Sequence, residues 1–492
     1  MSNSNEKTLD SHQNKYELGL NIWNGQEKAA IELISVVGKL WFDKSIELVI
    51  FRLQLVDRSS SVILNHHHYA QNIIKQPITI HDTLLLANEI LKLDMAPARI
   101  DIGRLSSEWL KEKVNYKSSA DFVADKLASF IGKDKRRMIP KDVVLYGFGR
   151  IGRIIARELI TQAGKGEQLR LRAIVTRGNS NEDISKRADL LRVDSVHGPF
   201  PGTVIEDFEN KALIVNGHII HIISAEKPSE VDYTAYDIND ALLIDNTGVW
   251  RDRAGLEQHL KSKGIGKVLL TAPGKGDIPN IVHGVNHTNY KPEEQIFSAA
   301  SCTTNAIIPV LHVIENSLGI EKGHIETIHA YTNDQNLLDN YHKKYRRGRS
   351  AVVNMVITET GAGKAVTKVM PQLEGKITGN AVRVPVPDVS LAILHLSVKK
   401  DTTKQEVNNI LRHGALFGNL IEQIQYSEFN ELVSSDLIGN ACACIVDSPS
   451  TIVSNDNRSI VIYAWYDNEF GYCRQVLRFA KHIADVIRLT YY

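Results

Sequence analysis

The spacing of apolar residues changes character along the chain. From Gln26 to about Ile131 they recur every three or four positions, as in Ala30-Ile31-Leu33-Ile34-Val37-Leu40-Trp41 and Leu84-Leu86-Ala87-Ile90-Leu91. That is the period of helices with one buried face. The run Ile46-Leu48-Val49-Phe51-Leu53-Val56 is read the same way. Thr79-Ile80-His81-Asp82 and Ser118-Ser119-Ala120-Asp121 have the form of helix starts, with a hydroxyl followed three residues later by a carboxylate. Residues 1–138 are therefore expected to form an all-α domain of about five to seven helices. The first ten or so residues are expected to be a disordered tail. Met138-Ile139-Pro140-Lys141, behind the basic run Lys133-Asp134-Lys135-Arg136-Arg137, reads as a linker.

Beyond it the pattern alternates between strand and helix. Val143-Val144-Leu145-Tyr146 leads through Gly147-Phe148-Gly149-Arg150-Ile151-Gly152 into Ile154-Ile155-Ala156-Leu159-Ile160. This is G-x-G-x-x-G with a strand before it and a helix after it, the context in which it binds a dinucleotide. The first glycine permits the turn, the second admits a pyrophosphate, and the third lets helix and strand pack closely. Leu242-Leu243-Ile244-Asp245-Asn246-Thr247-Gly248 and Val268-Leu269-Leu270-Thr271-Ala272-Pro273 read as buried strands ending in polar turns, where nucleotides bind in parallel sheets. Later, Ile325-Glu326-Thr327-Ile328-His329 and Ala392-Ile393-Leu394-His395-Leu396-Ser397-Val398 alternate as strands of an antiparallel sheet do. The expected fold is α/β: a Rossmann-type doubly wound parallel sheet, then an α+β catalytic domain with a mostly antiparallel sheet, all preceded by the all-α domain.

Composition narrows the function. Apolar (43%) and charged (23%) fractions are those of a soluble globular protein. A formal net charge of +1 argues against an electrostatic role on nucleic acid or membrane. The four cysteines (Cys302, Cys442, Cys444, Cys473) suggest neither a disulfide framework nor a paired zinc motif. The polar N-terminus lacks a signal-peptide core, and no apolar run would span a bilayer. A reducing, cytoplasmic setting is expected. His66-His67-His68 is not expected to hold a metal, because consecutive helical residues point apart.

The chemistry concentrates at Ala300-Ser301-Cys302-Thr303-Thr304-Asn305, directly before the apolar run Ile307-Ile308-Pro309-Val310-Leu311. A cysteine at a helix N-terminus meets unpaired amides and the positive dipole end, which favour the thiolate. His329, at the end of a strand, is a candidate partner for nucleophilic catalysis.

From about residue 141 to 490 the chain resembles the phosphorylating glyceraldehyde-3-phosphate dehydrogenase family. The matching motifs include Gly147–Arg153, Asp194-Ser195-Val196-His197-Gly198, Gly284-Val285-Asn286-His287, Ala300–Asn305, His329–Gln335, Thr360–Val366, Arg383-Val384-Pro385 and Trp465–Tyr472. The resemblance implies that Cys302 attacks the aldehyde and His329 takes the proton. Hydride leaves to a nicotinamide, and inorganic phosphate releases the thioester as an acyl phosphate. It places Thr332 and Arg383 at the substrate-phosphate subsite, and Ser301, Thr303, Arg347, Thr360 and Gly361 at or near the attacking-phosphate subsite. The cofactor, NAD or NADP, would be held by Gly147, Phe148, Gly149, Arg150, Ile151, Gly152, Thr176, Arg177, Thr247, Thr271 and Asn468, the last on the carboxamide. No metal is expected. The implied domains are a helical extension (1–138), a nucleotide-binding domain (139–301, completed by a C-terminal helix 467–492) and a catalytic domain (302–466). The implied partners are a small phosphorylated aldose, inorganic phosphate and three further copies in a homotetramer, with glycolysis or gluconeogenesis as setting.

Three positions depart from the family pattern. Ala306 stands where a second cysteine is common. Thr176-Arg177 end the strand where an acid usually holds the ribose. Asn340-Tyr341 replace a Leu-Pro pair. The last two make the adenosine end less hostile to a 2′-phosphate, so NADP is expected to be accepted. An erythrose-4-phosphate dehydrogenase uses similar residues and stays open as an alternative, as does a regulatory protein with a vestigial site. The extension has no counterpart in the ordinary family member.

Overall fold

The computed structural model describes residues 3–492 apart from 133, 134, 137 and 360, and describes only the backbone of 3–14 and 362. The chain forms two compact units, Met1–Met138 with Ile487–Tyr492, and Ile139–Val486. The linker expected at 138–141 falls at that division, although three residues of the basic run before it lie outside the described set.

The first unit is not all-helical. Its helices Asn3–Lys44, Ser60–Ile74, Ile80–Lys92, Ile102–Glu112 and Ser119–Lys126 accompany a four-stranded sheet. The sheet order is Leu53–Gln54, Ile46–Ile50, Ala98–Asp101, Leu489–Tyr491, with the last three strands parallel. Ile46–Ile50 was expected to be helical. It is buried at every position, Glu47 included, so it carries no in-out alternation, and so short a mostly apolar run does not distinguish strand from buried helix. Ser45, Phe51, Arg52 and Asp57 have positive φ, which ends any helix on either side. Of the expected tail, Met1 and Ser2 lie outside the described residues, and the chain is helical from Asn3. Both expected helix starts are present: Thr79 caps with Asp82 in a reciprocal box, and Ser118 Oγ accepts the Asp121 amide. In the histidine run, His67 is buried against Ile63 O and Thr83 Oγ1, each at 2.8 Å, while His68 faces solvent.

The second unit holds two eight-stranded sheets. The first runs 296–298, 265–270, 241–245, 141–146, 169–176, 218–224, 212–215, 204–207. Six strands are parallel, and an antiparallel pair closes one edge. Strand 141–146 lies centrally, where the direction of winding reverses, and the G-x-G-x-x-G turn leaves its carboxyl end. That is the ligand crevice of such sheets. The second sheet, built from 320–330, 377–384, 390–398, 459–466 and shorter strands, is mostly antiparallel. Helix Phe470–Ile483 returns to the first sheet, where Val476, Leu477, Phe479 and Ala480 join Val143, Leu145, Ile154 and Ile155 in one core. The final residues do not stay with that helix, as the boundary at 467–492 implied; Leu489–Tyr491 is a strand of the first unit.

Candidate active site

Local sequence builds the nucleophile's position. Ala300 has φ +56° and turns the chain, and Tyr472 Oη donates to its carbonyl at 2.9 Å. Ser301 then caps helix Cys302–Ser317, its Oγ accepting the Thr304 amide at 3.0 Å. Asn305 Nδ2 braces the turn from inside, donating to Ala299 O and Ser301 O at 2.8 and 2.9 Å. Cys302 is the first helical residue. Thr303 Oγ1 lies 3.0 Å from Tyr466 Oη, which also meets Thr327 Oγ1 at 2.6 Å.

Opposite stands strand Ile320–Ala330. Its parallel pairing with Ile377–Val384 sets Arg383 beside His329. Cys302 Sγ and His329 Nε2 are 3.5 Å apart. His329 Nδ1 is 2.7 Å from Ala330 O, and Arg383 Nη1 is 2.8 Å from both of those atoms. Ala330 O can only accept and Arg383 Nη1 can only donate, so the two compete for Nδ1; in the tautomer with the ring proton on Nδ1, Nδ1 and Arg383 Nη1 both donate to Ala330 O and the Nε2 lone pair faces the sulfur.

The protonation state differs from the thiolate expected at a helix N-terminus. Burial pushes the Cys302 thiol up, against the pull of Arg383, the Thr303 hydroxyl and the local amides. Burial and then the Arg383 charge push His329 down to about 3. A helix terminus contributes only about 0.3–1 kcal/mol, and burial outweighs it together with the other pulls. The resting pair is thiol and neutral imidazole, and an imidazole in that state can accept the thiol proton.

The other expected phosphate residues are placed as follows. Arg347 is buried, paired with Asp334 and 3.0 Å from Thr358 Oγ1. Gly361 opens helix Ala362–Val369 and lines, with Arg347, Lys343, Lys344 and Arg346, a basic cavity of about 1130 Å³. Thr332 is half-buried, its carbonyl accepting the Gln335 amide at 2.9 Å. Thr360 lies outside the described residues.

The dinucleotide end fits its expected ligand. Gly147 has φ +95°, and a Cβ on Gly152 would lie 2.5 Å from Gly147 O. A Cβ on Gly149 would meet nothing within 4 Å, so the helix N-terminus is open to a pyrophosphate. Phe148 and Ile151 pack on the sheet core. Thr176, Arg177 and Thr247 line a cavity of about 560 Å³ with Gly147, Phe148 and Trp250. Thr176 Oγ1 donates to Gly178 O at 2.8 Å, and Thr247 N and Oγ1 both reach Asp245 Oδ1 at 2.7 Å. Thr271 Oγ1 instead turns to Asp245 O and Asn246 Oδ1. Asn468 is buried, its Oδ1 accepting from Ser390 Oγ at 2.7 Å, which leaves its amide nitrogen as the donor.

Sequence reasoning gave no role to Tyr466, Ser390 or Glu469, and did not foresee Arg383 at the imidazole. Their partners lie far off in sequence. The Asp194–Gly198 and Trp465–Tyr472 motifs were the available signals.

An open dinucleotide cradle joined to a cysteine–histidine pair defines an NAD-dependent dehydrogenase. Residues 141–253 match the family model for the glyceraldehyde 3-phosphate dehydrogenase NAD binding domain, and 301–468 match that for its C-terminal domain. The chain belongs to the glyceraldehyde-3-phosphate dehydrogenase family. It is 49% identical over 459 residues to a glyceraldehyde-3-phosphate dehydrogenase-like protein of Pseudomonas aeruginosa UCBPP-PA14, covering 92% of this chain and 98% of the relative. It is 42% identical to the glyceraldehyde-3-phosphate dehydrogenase of P. aeruginosa PAO1 (70% of this chain, 98% of the relative). With the chloroplastic A form of Zea mays it shares 41% (70% and 82%). The first match reaches beyond the shared catalytic stretch, so part of the extension recurs in that relative.

Proposed function

We propose that this dehydrogenase oxidises glyceraldehyde 3-phosphate with inorganic phosphate to 1,3-bisphosphoglycerate, reversibly, through Cys302. The observation that carries the reading is the 3.5 Å approach of Cys302 Sγ to His329 Nε2, with Arg383 alongside. Sγ bonds to the aldehyde carbon while Nε2 takes the thiol proton, help worth about a hundred- to ten-thousandfold. Arg383 and Thr332 hold the substrate phosphate. Arg347, Gly361, Ser301 and Thr303 serve the phosphate that takes the acyl group from sulfur. Gly147, Gly149, Arg150 and Gly152 hold the pyrophosphate through backbone, and the Asn468 amide orients the carboxamide. The dinucleotide, when bound, supplies the hydride acceptor.

Both NAD and NADP are accepted in this reading. Arg177 and Lys186 line the adenosine-side cavity, and the Asp183 carboxylate there is matched by Arg187 at 3.1 Å. A homotetramer is supported by the loop before strand Val356–Thr358, which exposes Leu337, Leu338, Tyr341, Tyr345 and Met355.

The test is a purified-protein assay with glyceraldehyde 3-phosphate and erythrose 4-phosphate, each with NAD and NADP, with and without inorganic phosphate. Phosphate-dependent turnover of the triose is expected. Phosphate-independent turnover of the tetrose alone would replace the reading with erythrose-4-phosphate oxidation. No turnover, with Cys302 alkylation harmless, would favour a vestigial site.

A further inference from the structure

Asp194, His197 and Asp388 have no part in the chemistry above, yet they converge behind Asn468. Glu469 is the hub. Its carboxylate takes the Arg150 fork, with Nε 2.9 Å from Oε1 and Nη2 against Oε2, and lies 3.1 Å from His197 Nε2. Arg150 Nη1 continues to Asp194 Oδ2 at 2.6 Å. Asp194 Oδ1 in turn accepts the amides of Val196 and His197 at 3.0 Å each. Asp388 is 1% exposed and 3.7 Å from the same His197 Nε2, and neither of its oxygens completes a well-formed hydrogen bond among the described residues. His197, Asp388 and Glu469 bring donor atoms within 4.8 Å of one another. The Arg150 fork, however, already gives Glu469 its cation, so Arg150, Glu469, Asp194 and His197 form an ion-pair network with the Asp388 carboxyl packed against it.

The network grips Asn468 from two sides. Two residues after Asp388, Ser390 Oγ donates to Asn468 Oδ1 and accepts the Ala330 amide at 3.1 Å. Val389 between them has φ +65°, a conformation a β-branched residue keeps only where its surroundings force it. On the other side, Asp467 Oδ1 accepts the amides of Glu469 and Phe470 at 2.9 and 2.6 Å, and its Oδ2 accepts that of Gly439 at 2.7 Å.

We propose that Asp388, His197 and Glu469 are positioning residues for the nicotinamide, locking the strained 388–390 turn against the 467–469 turn and so aiming the Asn468 amide. This rests on Asn468 as the carboxamide partner. Among the described residues, the ionisable groups facing Asp388 are His197, Glu469, Asp467 and the buried Cys473 thiol, with Asp194, Arg150 and Arg153 behind them. Burial, then the charges of Asp467 and Glu469, push Asp388 up to about 8, while the Val389 amide and His197 pull the other way. Asp388 therefore holds its proton to higher pH than an ordinary carboxyl, while Glu469, Asp467 and Asp388 in turn hold the His197 imidazolium. Ionisation of Asp388 at higher pH sets a new negative charge against Glu469 and loosens the lock.

The test titrates NAD and ADP-ribose into the full-length protein by calorimetry between pH 6.5 and 9.5; NADP and 2′-phospho-ADP-ribose take their place if they bind more tightly. ADP-ribose lacks only the nicotinamide. In the wild type, the NAD dissociation constant is expected to rise by up to about tenfold per pH unit above the inflection, with ADP-ribose flat. Asp388→Asn keeps the shape of the neutral carboxyl. It should bind NAD within about twofold of wild type at pH 7 and lose the inflection. Asp388→Ala should weaken NAD by about tenfold and ADP-ribose by less than about twofold, the scale of one lost polar interaction. Superimposed wild-type and Asp388→Asn profiles, or equal weakening of both ligands by Asp388→Ala, overturn the proposal. Absence of all dinucleotide binding would remove the cofactor reading, and this inference with it.

Discussion

Replacing Arg383 by Met separates the role proposed for it, holding a substrate phosphate, from the pull that its charge exerts on the Cys302 thiol. Among the influences that oppose burial at Cys302, the Arg383 charge is the largest. Removing a cation disfavours the anion, so the thiol must rise further. The imidazole, freed of the same charge, rises from about 3 but stays depressed by burial. The guanidinium stands across the imidazole from the sulfur, and a unit charge one side chain away at an effective dielectric of about 20 is worth about 2–3 kcal/mol, or about two pKa units. Relaxation and water entry into the space left by the guanidinium reduce this to about one unit, a tenfold loss of thiolate at pH 7. The assay is the second-order rate of iodoacetamide alkylation against pH without cofactor. The reagent is neutral and carries no phosphate, so it reports the thiol alone. Cys442, Cys444 and Cys473 are buried and Cys302 is not fully so. The wild-type inflection is expected above the ordinary thiol range. In Arg383→Met it should move up by about one unit, with the rate at pH 7 down by about tenfold. Superimposed profiles, or faster alkylation of the variant, would refute the electrostatic coupling and leave Arg383 as a phosphate ligand only.

Two glycine variants should fail differently. Gly152→Ala drives a Cβ into Gly147 O and should lower the melting temperature as well as cofactor affinity. Gly149→Ala meets nothing in the protein, so calorimetry should show an unchanged melting temperature with cofactor binding weakened at least about tenfold. Tyr466→Phe removes the hydroxyl joining Thr303 to Thr327 and should cost about 1–2 kcal/mol in chemical denaturation. It should also raise the KM for inorganic phosphate. His283, His287 and His482 meet in tilted and edge-on contacts with centroids 4.5 to 6.3 Å apart, and burial pushes all three down, His283 to about 3. The unfolded chain therefore binds protons first. Their contribution is complete above about pH 6.5 and is lost as pH falls toward 3, by up to about 1.4 kcal/mol per pH unit per group. Denaturation midpoints from pH 7.5 to 5 should fall more steeply in the wild type than in His283→Gln.

Where function depends on neighbours in sequence, the sequence was readable. Strand, glycine turn and helix at 141–161 are local, as are the Ser301 cap and the strand that ends at His329. What escaped depends on pairing across distance. Arg383 reaches the imidazole because two strands run parallel in a particular register. Ser390 reaches Asn468 across 78 residues of sequence, and Glu469, its neighbour in the chain, is held by Arg150 from 319 residues away. Ile46–Ile50 is a strand where a helix is expected, because a strand buried on both faces shows no alternation. The thiolate expectation weighed the helix dipole without the burial that only packing discloses.

Leu489–Tyr491 pairs with Ala98–Asp101, so the sheet of the first unit draws on both ends of the polypeptide. On the ribosome, that sheet must wait until nearly four hundred further residues have emerged before its last strand arrives. Removing residues 1–138 would strip that strand of its partner and leave a sticky apolar stub; a bulky tag fused after Tyr492 would load the same edge. For this chain, a clean dissection of the extension requires cutting at both termini at once.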